Sequence, residues 1–149
     1  MKDSCQMTIP EDIAAEEEVA RIIFSPSMIM DGKVAPSAFF MDELKSGPES
    51  YVSVWRSNYR IPSPENIFFK ARKQDDKLAG YATIGVSKCH AISYENYNTQ
   101  IKPHPSNANP AHAGIHFNKG RNAIKGQCYE PGYLMLATMI AGNCSLVTF

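Results

Sequence analysis

Alternation of apolar and polar positions organises most of the chain. Tyr51-Val-Ser-Val-Trp55 sets Val52 and Val54 on one face and Tyr51, Ser53 and Trp55 on the other, the period-two pattern of a half-buried strand. Ala111 to Phe117 repeats it, separating Ala113, Ile115 and Phe117 from His112, Gly114 and His116. Leu78 to Val86 alternates more loosely around two glycines and predicts a third strand. Arg21-Ile-Ile-Phe24 predicts a short strand stopped by Ser25-Pro26. Asp31-Gly32, between Met28–Met30 and Val34, is a tight hairpin turn signal. Ser37 to Phe40 prolongs the second arm, with Pro36 confining it to an edge or a loop.

Helical signals are fewer. Thr8-Ile-Pro-Glu11 has the form of a capping box, and the acids that follow suit the positive end of a helix dipole, so a helix is expected from about Ile9 to Ala20. Ser63-Pro64 starts another, running to about Lys73. Tyr133 to Ala141 is apolar nearly all round and predicts a buried helix, ended by Gly142-Asn143. Ser145 to Phe149 then predicts a last strand paired into the main sheet, with Leu146 or Val147 in the core. Residues 93–110, rich in Ser, Asn and Pro, read mostly as loop, with a short extended edge from Gln100 to His104; Lys119 to Gln127 reads as a basic loop. The fold class expected is α+β: one compact domain over 1–149, mainly antiparallel sheet with two or three helices, and residues 1–8 as a flexible leader.

Composition supports a real core, since 44% of the 149 residues are apolar, and excludes a mostly disordered chain. Fifteen basic side chains balance fifteen acidic ones, which removes a whole-protein positive field as a route to nucleic acid. The charge is segregated, however: residues 1–20 carry a net −5 and residues 51–90 a net +4. Either the acidic start lies over the basic middle, or each is a solvated face. Cys5, Cys89, Cys128 and Cys144 show no Cys-x-x-Cys spacing, and the first twenty residues lack a signal-peptide pattern, so reduced thiols in a cytoplasm are expected. The apolar stretch from Tyr133 to Phe149 is too short and too interrupted to span a membrane. A soluble, cytoplasmic protein without a membrane partner is the expectation.

Candidate chemistry is sparse. On a strand, His112 and His116 stand about 13 Å apart, beyond the reach of one zinc ion with bonds of about 2 Å. His104 can approach one of them from the neighbouring loop, but no carboxylate lies nearby in sequence, and no metal or other cofactor is expected. His112 fits a general acid/base or a histidine hydrogen-bonded at the sheet edge. Arg21 follows an acidic stretch and fits a partner of Glu17 or Glu18. Arg56 and Arg60 flank Tyr59, with Lys70, Arg72 and Lys73 beyond; this fits a solvated basic face, or alternatively a nucleic-acid surface, although no phosphate-binding or RNA-recognition motif accompanies it. Cys89-His90 would point to opposite faces of a strand, and no Gly-x-Ser-x-Gly elbow exists, so no nucleophile is assigned.

The order RIIFSPSMI, DGKVAPSAFF, YVSVWR and NPAHAGIHF resembles a family of small, uncharacterised bacterial proteins with a Gly-x5-Ala-Phe segment, a Ser-Val strand and a Pro-x-His-Ala-x-Ile strand. The resemblance covers roughly residues 19–117 with a closing helix and strand. It implies one compact domain and a bacterial, cytoplasmic origin, and brings no reaction with it. Arg21 followed by Ser53 is also distantly similar to ADP-ribosyltransferase-like domains. That resemblance implies a catalytic glutamate, yet only Glu95 and Glu130 remain in the second half, neither in a Glu-x-Glu or Gln-x-Glu form. Two functions follow as expectations. The first is a binding module, for a protein or small-molecule ligand, whose polar face carries Ser53, Arg56 and His112. The alternative is a nucleotide-handling enzyme using Arg21, Ser53 and Glu130.

Overall fold

Val19, Ile22 and Ile23 are β-branched, and the segment that holds them extends. In the computed structural model, which describes residues 9–23, 26–40, 51–59, 80–107, 109–123 and 131–148, strand β1 covers Glu18–Ile23. The helix expected from Ile9 to Ala20 does not form. Residues 9–17 run instead as bends and one turn, closed by the Glu17 N–H on the Ala14 carbonyl at 3.1 Å. The Glu17 carboxylate accepts the Ala14 N–H and turns inward to Arg56, so a partner 39 residues away overrides the capping box.

Strands β2 (Ile29–Met30) and β3 (Lys33–Val34) form the expected hairpin. Asp31 and Gly32 sit at φ +54° and +74°, the paired positive angles of a type I′ turn. Ser37 to Phe39 is not extended: Pro36–Phe39 wind into a 3₁₀ turn, with the proline at its start, where the missing N–H has no bond to make, and only Phe40 returns to extended backbone. Strands β4 (Val52–Arg56) and β5 (Gly80–Gly85) match their alternation. The Ser63–Lys73 helix lies outside the described residues. Helix α1 (Val86–His90) leads to β6 (Ser93–Tyr94) and β7 (Tyr97–Pro103). Thus 93–110 is not mostly loop; it opens with a hairpin that turns at Glu95-Asn96, and β7 pairs along its whole length with β8 (His112–Lys119). Strand β9 (Asn122–Ala123), helix α2 (Pro131–Gly142) and β10 (Ser145–Thr148) complete the chain.

The main sheet runs β10-β5-β1-β4-β8-β7-β6, with β9 beside β8, and every pairing in it is antiparallel. The fold is α+β, a single compact domain. One sheet face supplies Val19, Ile23, Val52, Val54, Ala82, Ile84, Ala113, Ile115 and Phe117 to the core. Leu136, Ala137 and Ile140 of α2 cover it, while Leu134 and Met135 of the same helix are exposed, so α2 is buried on one side only. Gly132 is required there, because a Cβ would overlap the Tyr97 ring. The last strand joins the sheet on β5, with Leu146 packed against the core and Val147 exposed. Along β7, the Ile101 N–H points outward from β8 and donates to His90 Nε2 at 3.0 Å. No helix among the described residues is long and apolar enough to cross a membrane.

Candidate functional site: the face around Ser53 and His112

The other face of the sheet carries few apolar side chains: Ala20, Ile22, Trp55 and Tyr81 form a small cluster beside a polar field. Strands β4 and β8 set its geometry by pairing Trp55 with His112 and Ser53 with Gly114. Gly114 leaves the space that the Tyr51 ring occupies, since any Cβ there would overlap it. Tyr51 in turn stacks on His104, 4.1 Å between centroids and 8° between planes, and lies 5.2 Å from the His116 ring.

Ser53 and His112 meet diagonally across the two strands, Oγ to Nε2 at 2.7 Å. His112 Nδ1 lies 2.8 Å from the main-chain oxygen of His104. A carbonyl can only accept, so the proton is on Nδ1. In the neutral imidazole, Nε2 therefore holds a lone pair, and the Ser53 hydroxyl donates to it. His112 is in the middle of the sheet, between β4 and β7, and not at an edge.

The side chain of His104 has a separate partner, His116, with the two Nε2 atoms 2.7 Å apart. The ring centroids are 5.0 Å apart and the planes 22° off parallel, as two imidazoles pointing nitrogen to nitrogen require. One must donate and the other accept, so the pair shares one proton. Burial, then the His104 and Lys102 charges, push the His116 pKa down to about 4. Burial also lowers that of His104, with smaller contributions from His112 and Lys102. Among the described residues, no group of three or more His, Cys, Asp or Glu side chains could hold a metal ion.

Strands β1 and β4 pair only at Val19–Arg56 and Ala20–Trp55. Where they part, Arg21 donates from Nε to the Ala38 carbonyl and from Nη1 to the Ser53 carbonyl, both at 2.9 Å. It does not pair with Glu17 or Glu18 as the sequence suggests. Beside this gap lies a cleft of about 210 Å³, lined by Ile22, Ser53, Trp55, Asn109 and His112 together with Arg21 and Val54.

Ser53 and His112 thus share one face. By strand parity Arg21 belongs to the opposite one, with Val19 and Ile23, and reaches the cleft through the gap and its bond to the Ser53 carbonyl. Arg56 does not join them. It lies on the opposite face of β4, where strand parity groups it with Val52 and Val54. Its guanidinium donates to both Glu17 oxygens at 2.8 Å and to the Pro10 and Asp12 carbonyls at 2.6 and 3.2 Å. The Arg56 pKa rises through the Glu17 hydrogen bonds against the pull of burial. Burial opposes ionisation of Glu17, but the hydrogen bonds from Arg56 and Ala14 and the Arg56 charge outweigh it and hold its pKa below the ordinary value. One acid of the start, Glu17, and one base of the middle, Arg56, thus form a buried ion pair.

Arg60, Lys70, Arg72, Lys73 and Glu130 lie outside the described residues. Burial pushes the Cys89 thiol up to about 11 and that of Cys144 to about 12, which leaves neither as a thiolate near neutrality. Tyr51 and Asn109 are the site residues that sequence reasoning passed over. The small residue at Gly114, opposite a strand ending in an aromatic, was the available signal for Tyr51.

Compared with known proteins, the chain matches no family model, no curated protein and no solved structure. Fold and site define a class only: an antiparallel α+β domain with a histidine-lined polar face over a small cleft.

Proposed function

We propose that the protein is a small-molecule binding domain whose ligand enters the cleft between β1 and β4. The observation that carries this reading is the convergence of Ser53, His112 and Asn109 on one cleft backed by Ile22 and Trp55. At about 210 Å³ the cleft is below the usual range for drug-sized ligands, so it suits a smaller molecule. Ile22 and Trp55 favour a flat apolar body, and Ser53, His112 and Asn109 favour a hydrogen-bonding edge. The ligand class is neutral, because the Arg21 guanidinium is committed to two main-chain carbonyls. For the same reason we do not adopt the nucleotide-handling alternative with Arg21 as a phosphate anchor.

Trp55 is the only tryptophan, and it lines the cleft, so its emission reports occupancy. Monocyclic aromatic amides and esters, with nucleotides as the contrasting set, are titrated while emission and melting temperature are followed. A binder raises the melting temperature by mass action and shifts Trp55 emission. Asn109→Leu should weaken that response. A melting response to nucleotides alone, or no response to the aromatic set at millimolar concentration, overturns the reading.

A further inference from the structure

We infer that Ser53 is a nucleophile with His112 as its general base, and that small carboxylic esters are its substrate class. The inference rests on the binding reading, because the ester would occupy the same cleft.

The polarity of the hydrogen bonds is the reason. A serine that only needed to satisfy its hydroxyl could donate to any nearby carbonyl. Ser53 instead sits 2.7 Å from an imidazole nitrogen whose lone pair is fixed by the His104 carbonyl on the far side of the ring. Nucleophile, base and orienting group then stand in the order that activates a hydroxyl. Ser53 and His112 are both half-buried and both line the cleft, so an acyl carbon held there is within reach. Asn109 lines the same cleft with its Oδ1 held by the Ala111 N–H at 3.2 Å, and its carboxamide N–H₂ is the donor assigned to a developing oxyanion. The orienting group is a neutral carbonyl and not a carboxylate. It fixes the ring without stabilising an imidazolium as strongly, so turnover slower than that of a Ser-His-Asp enzyme is expected.

In the reaction, Ser53 Oγ attacks the ester carbonyl carbon while its proton passes to His112 Nε2. The tetrahedral oxyanion collapses, the bond to the leaving alkoxide breaks, and the alkoxide takes the proton from Nε2. Water, deprotonated by the same nitrogen, then attacks the acyl carbon. The acid is released and Oγ regains its proton.

The test uses the full chain with phenylmethanesulfonyl fluoride and p-nitrophenyl acetate. Intact mass and peptide mapping should show one sulfonyl adduct, on Ser53, and p-nitrophenol should be released above the buffer rate. His112→Ala should slow adduct formation by about 100-fold or more, the usual contribution of a general base. Ser53→Ala should gain no adduct. Labelling of the wild type needs no variant to fold, and the melting curves of both variants show whether they do. No adduct on Ser53, or an adduct formed at the same rate in His112→Ala, overturns the inference. Trp55 emission that responds to the aromatic amides while Ser53 stays unlabelled ends the nucleophile and leaves the binding reading intact. No Trp55 response together with no adduct ends both.

Discussion

Replacing Glu17 by glutamine keeps the shape of the side chain and removes its charge. The Glu17 and Arg56 side chains are 6% and 2% exposed, and Arg56 would keep its charge in the same buried place without its carboxylate. Breaking a buried pair from one side costs about 3–5 kcal/mol, because the surviving ion is left desolvated. Against a total stability of about 5–15 kcal/mol that is a large share. For a domain of this size each kcal/mol lowers the melting temperature by about 2–4 °C, so the drop should be about 6–20 °C. The urea midpoint should fall by about 2 M at an ordinary denaturant slope. Arg56→Met should cost a similar amount, while Glu17→Met with Arg56→Met should cost much less than the two together, since neither charge is then left alone. Calorimetry and urea denaturation of the four proteins give the cycle. The pH dependence has a definite sign. The folded Glu17 pKa lies below its ordinary value of 4.5, so the stabilisation is whole above about 4.5 and is lost as pH falls through the lowered value. Wild type should lose this contribution on acidification, and Glu17→Gln should not. A melting temperature within 2 °C of wild type for Glu17→Gln, or strictly additive costs in the cycle, would refute the reasoning.

Three further outcomes are expected. Gly114→Ala puts a Cβ where the Tyr51 ring lies, so it should lower the melting temperature and change the ¹H shifts of His104, which stacks on that ring; an unchanged spectrum contradicts the geometry. His116 should remain neutral well below pH 6 and titrate near 4 by NMR. Because its folded pKa is depressed, the stability it contributes is whole above about pH 6.5 and declines as pH falls toward 4. Deleting residues 144–149 strips β10 from β5 and uncovers Leu146 contacts in the core, so the product should aggregate or lose several kcal/mol in denaturation, against the usual total of about 5–15; an unchanged melting temperature would show that the strand is dispensable.

Local pattern was enough where local forces decide the structure. The alternation in β4 and β8 and the Asp31-Gly32 turn each carry their own signal. Helix α2 does stop at Gly142, but neither Gly142 nor Asn143 takes the left-handed conformation expected of such a stop, and the Asn143 side chain donates to the Met139 carbonyl instead. The acidic segment after Thr8 misleads because its Thr-x-x-Glu pattern is that of a capping box, yet its Glu17 is drawn instead to an ion pair with a residue 39 positions away. Strand β7 was hidden for a different reason. Its outward positions are polar, Pro103 ends it, and its hairpin turns on Glu95 at φ +53°, a conformation that glutamate seldom signals. At the site, alternation separates Ser53 from Val52 and Val54, and the same alternation removes Arg56 from that face. The meeting of Ser53 with His112 depends on the β4–β8 register, which no single segment encodes.

The imidazole that caps Ile101 bears on what this edge of the sheet offers to an added strand. A strand edge with unpaired amides is a template for another chain. Strand β6 covers only the first two residues of β7, and among the described residues the stretch toward Pro103 has no strand neighbour on that side. Thr99 is turned to α1, its hydroxyl donating to the Cys89 carbonyl, and the Ile101 amide is taken by His90. Pro103 has no amide to offer. On this side of β7 the Ile101 amide is thereby taken by a helix of five residues and is withheld from any added strand.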